Sequence, residues 1–152
     1  MLLRAAAAAA AVLALAACGG SGGDKTSTSA FQYPPGCTPD QVSSIVNAFI
    51  ANPVLAPSSL FAHVTVTEPG GYKFSSTVRS VAEAYLKSRR AAGEHDRILS
   101  LRQAPIDINR VAIVFGLTRY APDWKNANRL AAGTGLIDCA HQLVAGWIVK
   151  PQ

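Results

Sequence analysis

Arg110-Val111-Ala112-Ile113-Val114-Phe115-Gly116-Leu117-Thr118-Arg119-Tyr120 is the stretch on which the fold turns. It is rich in β-branched and aromatic residues and free of proline, the composition of a strand. Successive side chains of a strand point to opposite faces, so Val111, Ile113, Phe115 and Leu117 share one face and Ala112, Val114, Gly116 and Thr118 the other. Both sets are largely apolar, which predicts that both faces are at least partly covered. A strand this long also needs neighbours for its backbone groups. Arg97 to Gln103 reads as the strand before it, and Gly135 to His141 and Val144 to Val149 as two strands after it around a tight turn near Gln142-Leu143. Between them, Pro122-Asp123-Trp124 to Ala132 reads as a long loop.

Upstream the apolar period changes from two to that of a helix. Thr38-Pro39-Asp40-Gln41 places an N-cap threonine, a proline at the first helical position and a glutamine at the third, which is a capping box. Val42, Ile45, Val46, Phe49 and Ile50 follow on one face, predicting a helix from Pro39 to Ala51 that Asn52-Pro53 ends. Pro57 to Phe61 suits a short helical turn. His63 to Thr67 alternates as a strand, Glu68-Pro69-Gly70-Gly71 is a turn, and Tyr72 to Ser75 returns as the hairpin partner. Ser76 or Thr77 then caps a second helix carrying Val78, Val81, Ala82, Tyr85 and Leu86 inward, with Gly93 at its exit. Helices followed by a run of long strands make an α+β class, and residues 37–150 form one domain, enough chain to bury about two-thirds of its unfolded surface.

Residues 1–17 carry Arg4 and then an apolar run from Ala5 to Ala17. That run is too short to span a bilayer, which takes about 20 apolar residues, and its layout is that of a secretory signal peptide. The ending Leu15-Ala16-Ala17-Cys18 resembles the lipobox of bacterial lipoproteins. The resemblance implies that Cys18 becomes the lipidated first residue of the mature chain, exported and anchored in the membrane at its extracytoplasmic face. Residues 18–36, with Gly19-Gly20-Ser21-Gly22-Gly23, read as a flexible leash. Two cysteines remain, Cys37 and Cys139, and an oxidising compartment favours a disulfide between them. A catalytic thiol or a metal ligand is the alternative, although neither cysteine has a histidine or second cysteine at ligand spacing.

The formal charge of +5 falls to about +4 once Arg4 is removed. Its densest part, Arg79, Lys87, Arg89, Arg90, Arg97 and Arg102, lacks the interleaved aromatics of a single-strand binding surface, which argues against nucleic acid. A solvated helix face is one reading of these bases; attraction to anionic phospholipid beside the anchor is the other. His63, His95 and His141 are dispersed, so no metal is expected. No cofactor is expected either, because Gly19 to Gly23 lie in the leash and Gly70-Gly71 in a turn rather than in a phosphate loop.

The order of elements, with Cys37 just before the first helix, the strand Gly133-Thr134-Gly135-Leu136-Ile137-Asp138-Cys139 and Trp147 on the last strand, resembles the cystatin-like cone of the nuclear-transport-factor-2-like superfamily. It is similar in particular to a group of secreted bacterial lipoproteins of that superfamily. The resemblance implies N-terminal helices packed in a curved antiparallel sheet that encloses a pocket. The superfamily holds ketosteroid isomerases, polyketide cyclases and dehydratases beside domains without catalysis, so function must come from the site. Proton-transfer chemistry there needs a base in an apolar cavity and a donor for the developing oxyanion. The candidates are Asp138, Tyr85 and Tyr120. Asp138 shares a face with Leu136 and Ala140 and suits a pocket base if that face is concave; otherwise it is a backbone-paired aspartate beside the disulfide. Tyr85 is a core residue with its hydroxyl at the rim, and Tyr120 leads into a loop that forms either a pocket lip or a surface turn.

The favoured reading is a membrane-tethered lipoprotein with a non-catalytic domain that binds an envelope protein or a small apolar ligand. The alternative is a small isomerase, cyclase or dehydratase using a pocket carboxylate. A structural role as a homodimer through the open sheet face is the third.

Overall fold

The structure is a computed structural model describing residues 32–124 and 128–152. The readings made for residues 1–31, Cys18 among them, lie outside the described residues. Eight principal elements follow one another: α1 (Pro39–Ala51), β1 (Val64–Thr67), β2 (Lys73–Ser76), α2 (Arg79–Ala91), β3 (His95–Asp107), β4 (Arg110–Tyr120), β5 (Arg129–Asp138) and β6 (Leu143–Pro151), with a 3-10 turn at Pro122–Trp124. The strands form one sheet in the order β2-β1-β6-β5-β4-β3. Two helices pack against this curved six-stranded sheet, which is the α+β cone architecture expected.

One pairing departs from the all-antiparallel expectation. β1 runs parallel to β6, Val64 beside Trp147 and Val66 beside Val149, because the chain reaches β1 from α1 and returns to it only at its end. The last strand thus joins the short hairpin to the long meander.

The inner face of the sheet is the one named by Val111, Ile113, Phe115 and Leu117, all buried. α1 lies across it, held at its start by the capping box at Thr38 and Gln41, and sinks Val42, Ile45, Val46 and Phe49 into the sheet. Each such side chain contributes about 1.5–3 kcal/mol by burial. The centre is aromatic: Phe115 stacks on Trp147 with ring centroids 4.0 Å apart, and Phe49 tilts onto Trp147 at 5.0 Å. Gly133 on β5 makes room for this stack, since a Cβ there would come within 2.5 Å of Phe115 Cζ. A bulge between Leu136 and Ile137 gives β6 an extra residue, so that Val144 and Trp147 both point inward. A disulfide joins Cys37, just before α1, to Cys139 at the end of β5. These core residues all belong to the compact unit Phe31–Gln152, which therefore carries its own core, the property that lets a domain fold alone.

Several expectations are corrected. β3 runs well past Gln103 and takes in Pro105, which an edge strand tolerates because a missing N–H there breaks no ladder. β5 starts at Arg129 inside the expected loop: its Ala131-Ala132-Gly133 run has little strand propensity of its own, and pairing with β4 over its whole length supplies the order. Thr77 does not cap α2; Ser76 Oγ instead accepts from Val78 N at 3.0 Å, and Val78 is the N-cap. Val78 and Val81 are half exposed, because α2 turns Ala82, Tyr85 and Leu86 to the core instead. Finally, the outer face of β4 is only partly covered among the described residues: Ala112, Gly116 and Thr118 are half-buried and Val114 is 55% exposed.

Candidate functional site

The alternation of β4 does not stop at Leu117. Arg119 is next in phase on the inner face and is only 3% exposed. Its cross-strand partner on β3 is Asp96, whose Oδ1 accepts from Arg119 Nε at 3.1 Å. β1 likewise continues its inward set of Val64 and Val66 to the buried Glu68, and Glu94 enters just before β3. α2 closes this end of the inner face with three residues from its second half: Tyr85, Arg89 and Arg90. The two arginines stand in the helix's last turn, where the macrodipole favours cations.

The result is a buried cluster of three acids and three arginines. Arg119 bonds Glu94 and Asp96 and faces Glu68 at 3.9 Å; Arg89 pairs with Glu94 at 2.7 Å and Arg90 with Asp96 at 2.8 Å. Tyr85 donates to Glu68 Oε1 at 3.1 Å and stacks its ring on Phe74, and the Arg119 guanidinium lies over the Trp124 ring. The formal charges cancel, which is the condition under which such groups tolerate a low dielectric. Satisfaction is incomplete: Glu68 Oε2, Arg90 Nε and Arg119 Nη1 are buried without a hydrogen-bond partner.

Burial pushes the Glu68 carboxyl above its ordinary value, against the pull of Arg119 and Arg89. The Tyr85 phenol is also raised, by burial first and then by the Glu68 charge beside it. A prediction follows for stability. Above pH 4.5 the unfolded chain has lost the Glu68 proton while the folded chain still holds it, so this residue's contribution declines as pH rises from 4.5 through the raised value. Glu68→Gln keeps the acceptor for Tyr85 and is expected to remove that decline in urea titrations run from acid to neutral pH. An unchanged pH slope would show that Glu68 does not titrate in that window.

The structure does not bring the three sequence candidates together. Tyr85 is in the cluster. Asp138 is buried but faces outward beside Leu136: its Oδ2 is 2.5 Å from His141 Nδ1 and its Oδ1 accepts from Ala140 N at 3.2 Å, an arrangement that shapes the turn carrying Cys139. An outer cleft of about 480 Å³ reaches Asp138, lined also by Ser59, Ile108, Asn109 and Arg110 but by neither tyrosine. Tyr120 sits at the other end of β4 from Arg110, the residue paired with Asp138, about 34 Å of strand away. Its ring lies against His95. Sequence reasoning missed Glu68, Glu94, Asp96 and Arg119, although the signal was present in the phase of Arg119 with four buried hydrophobics.

No protein-family model and no curated protein matches the chain. Three solved structures are similar to it in fold. A provisionally named polyketide cyclase from Xanthomonas campestris is 12% identical, covering 71% of this chain and 87% of its own, with a TM-score of 0.45. A second protein so named, from Pseudomonas putida, is 11% identical over 76% and 92%, with a TM-score of 0.48. The third, from Xanthomonas campestris and provisionally named a calcium/calmodulin-dependent protein kinase II association domain, is 12% identical over 74% and 81%, with a TM-score of 0.49. Their names span catalysis and assembly, and likenesses this distant carry no inference about activity.

The chemistry available at the cluster is narrow. A carboxyl with a raised affinity for its proton beside a phenol is a general-acid-base pair in kind. The cleft next to it, of about 240 Å³, is lined by Arg89, Ala92, Glu94, Ala121, Pro122 and Asp123 and reaches neither Glu68 nor Tyr85. Among the described residues no group of three or more His, Cys, Asp or Glu side chains is placed to hold a metal ion.

Proposed function

We propose that the chain is a lipid-anchored protein of the cell envelope whose α+β domain binds an envelope protein or a small apolar ligand without catalysing a reaction. The observation that carries this reading is the filled inner face. Where the resemblance implied a pocket, Phe49, Phe115 and Trp147 pack against one another, and beyond them Arg119 and its partners close the space. Asp138, the proposed base, turns away from that face and is held by His141. A substrate on the inner face would have to displace either the aromatic stack or a neutral ion cluster. The disulfide between Cys37 and Cys139 is consistent with an oxidising, extracytoplasmic location.

Cys18→Ala is expected to move the protein from the membrane fraction to the soluble fraction, and full retention in the membrane would remove the lipid anchor from the proposal. The non-catalytic part is tested by complementation of a deletion strain. Tyr85→Phe and Asp138→Asn, provided they accumulate normally, are expected to restore the wild-type phenotype, whereas an inactive Tyr85→Phe or Asp138→Asn at normal abundance would favour catalysis. One observation favours the enzyme reading as a second choice, the Glu68 and Tyr85 pair at 3.1 Å. On that reading Glu68, not Asp138, is the base.

A further inference from the structure

We infer that the outer face of the sheet is a docking surface for an anionic lipid bilayer. The register of the strands assembles this face residue by residue. Val114 on β4 stands opposite Arg102 on β3 and Thr134 on β5, Thr134 stands opposite Ile148 on β6, and Ile148 opposite Thr65 on β1. In the neighbouring rows Lys150 pairs with Ala132, Arg97 with Thr118, and Lys73 with Thr67. Directly paired residues project from the same side of a sheet. The six strands, about 24 Å across at the usual strand spacing, therefore present a mixed face on which Val114 and Ile148 stand among threonines with four cations around them.

These cations are uncompensated: Arg97, Arg102, Lys73 and Lys150 make no ion pair among the described residues, whereas Arg110 and Arg119 on β4 are matched to acids. The strand carboxylates on this face, Asp107 and Asp138, lie at one end and are engaged by Arg110 and His141. Among the described residues no helix lies over this face: Val114 and Leu130 are 55% and 54% exposed, and a shallow groove of about 320 Å³ runs beside Val114, Ala132, Ile148 and Lys150.

Charge decides the occupant. A second copy packed face to face would set these cations against their own images, since a two-fold contact brings the same patch from both subunits together. An anionic bilayer supplies opposite charge across the whole width and accepts small apolar side chains between its head groups. Each basic residue close to such a surface is worth about 1 kcal/mol, or about fivefold in partitioning.

The compact unit Phe31–Gln152 is the protein to test, because it lacks Cys18 and so separates this inference from the lipid anchor. It is expected to cosediment with phosphatidylcholine vesicles containing phosphatidylglycerol and not with pure phosphatidylcholine vesicles, and to be released by salt as the Debye length shrinks to about 3 Å at 1 M. The double variant Arg102→Gln/Lys150→Gln removes two exposed charges and is expected to lower partitioning about thirtyfold at an unchanged melting temperature. Equal binding to both vesicle types, or a double variant that partitions like the parent, overturns the inference. So does a dimer in a concentration series by sizing chromatography that Val114→Glu abolishes, which would assign the face to a second copy.

Discussion

Cys37→Ser is expected to lower the stability of the domain by about 4 kcal/mol, seen as a fall in the urea midpoint with little change in the native spectrum. The bridge to Cys139 closes a loop with a sequence separation of 102 residues, so it constrains almost the whole unfolded domain. In the chain-entropy model a loop of about 100 residues is worth about 4.7 kcal/mol, and measured values tend to fall short of it. The position adds a native-state component. Both cysteines are buried, and the bridge fixes the entry to α1 against the turn between β5 and β6, where Gly36 packs so closely on the Cys139 carbonyl that a Cβ would not fit. Losing a bridge of this size from a domain of ordinary stability, about 5–15 kcal/mol, consumes a large share of the total. Reduction of the wild type with a thiol is expected to reproduce the effect, and reduction of the variant to do nothing further. A midpoint that moves by less than the equivalent of about 1 kcal/mol would mean that the reduced unfolded chain is already nearly as restricted as the oxidised one.

Much of the architecture was legible because it rests on local rules. The capping box at Thr38 and Gln41 fixed the start of α1, and alternation from Val111 to Leu117 fixed the inner face of β4. What escaped was decided by partners distant in sequence. The strand from Arg129 looks like a loop until β4 is laid beside it, and α2 turns Val78 and Val81 to solvent because Ala82, Tyr85 and Leu86 already make its contact with the core. The exposure of Val114 has the same origin: it reads as a core residue by composition, and among the described residues no third layer packs on it. The candidate site was less legible. Asp138 was placed correctly beside Leu136, but which face is concave is a property of the closed sheet and not of the strand. Arg119 was overlooked as an interior residue because a charge in phase with hydrophobics becomes plausible only when its acids, Glu68, Glu94 and Asp96, are brought in from three other places in the chain.

Arg119→Met is expected to destabilise the domain by about 3–5 kcal/mol at neutral pH, the usual cost of removing one member from a buried ionic network. Methionine fills the space of the arginine stem, so the deficit reports charge and hydrogen bonding more than a cavity. With Arg119 gone, Glu94 keeps only Arg89 and Asp96 only Arg90, while Glu68 retains the Tyr85 hydroxyl and a distant Arg89. Three carboxylates would then share two guanidiniums in a region that water barely reaches. Arg119→Lys is expected to recover part of the loss and no more, because one ammonium cannot reproduce the fork that bonds Asp96 through Nε and Glu94 through Nη2. The pH dependence separates this explanation from simple loss of packing. Folding of the Met variant is easier when an abandoned carboxyl carries its proton, so the gap between wild type and variant is expected to narrow as the pH is lowered from about 7 toward 4. A gap that stays constant over that range, or one below about 1 kcal/mol, would mean that the cluster is relaxed by water and that Arg119 contributes packing alone.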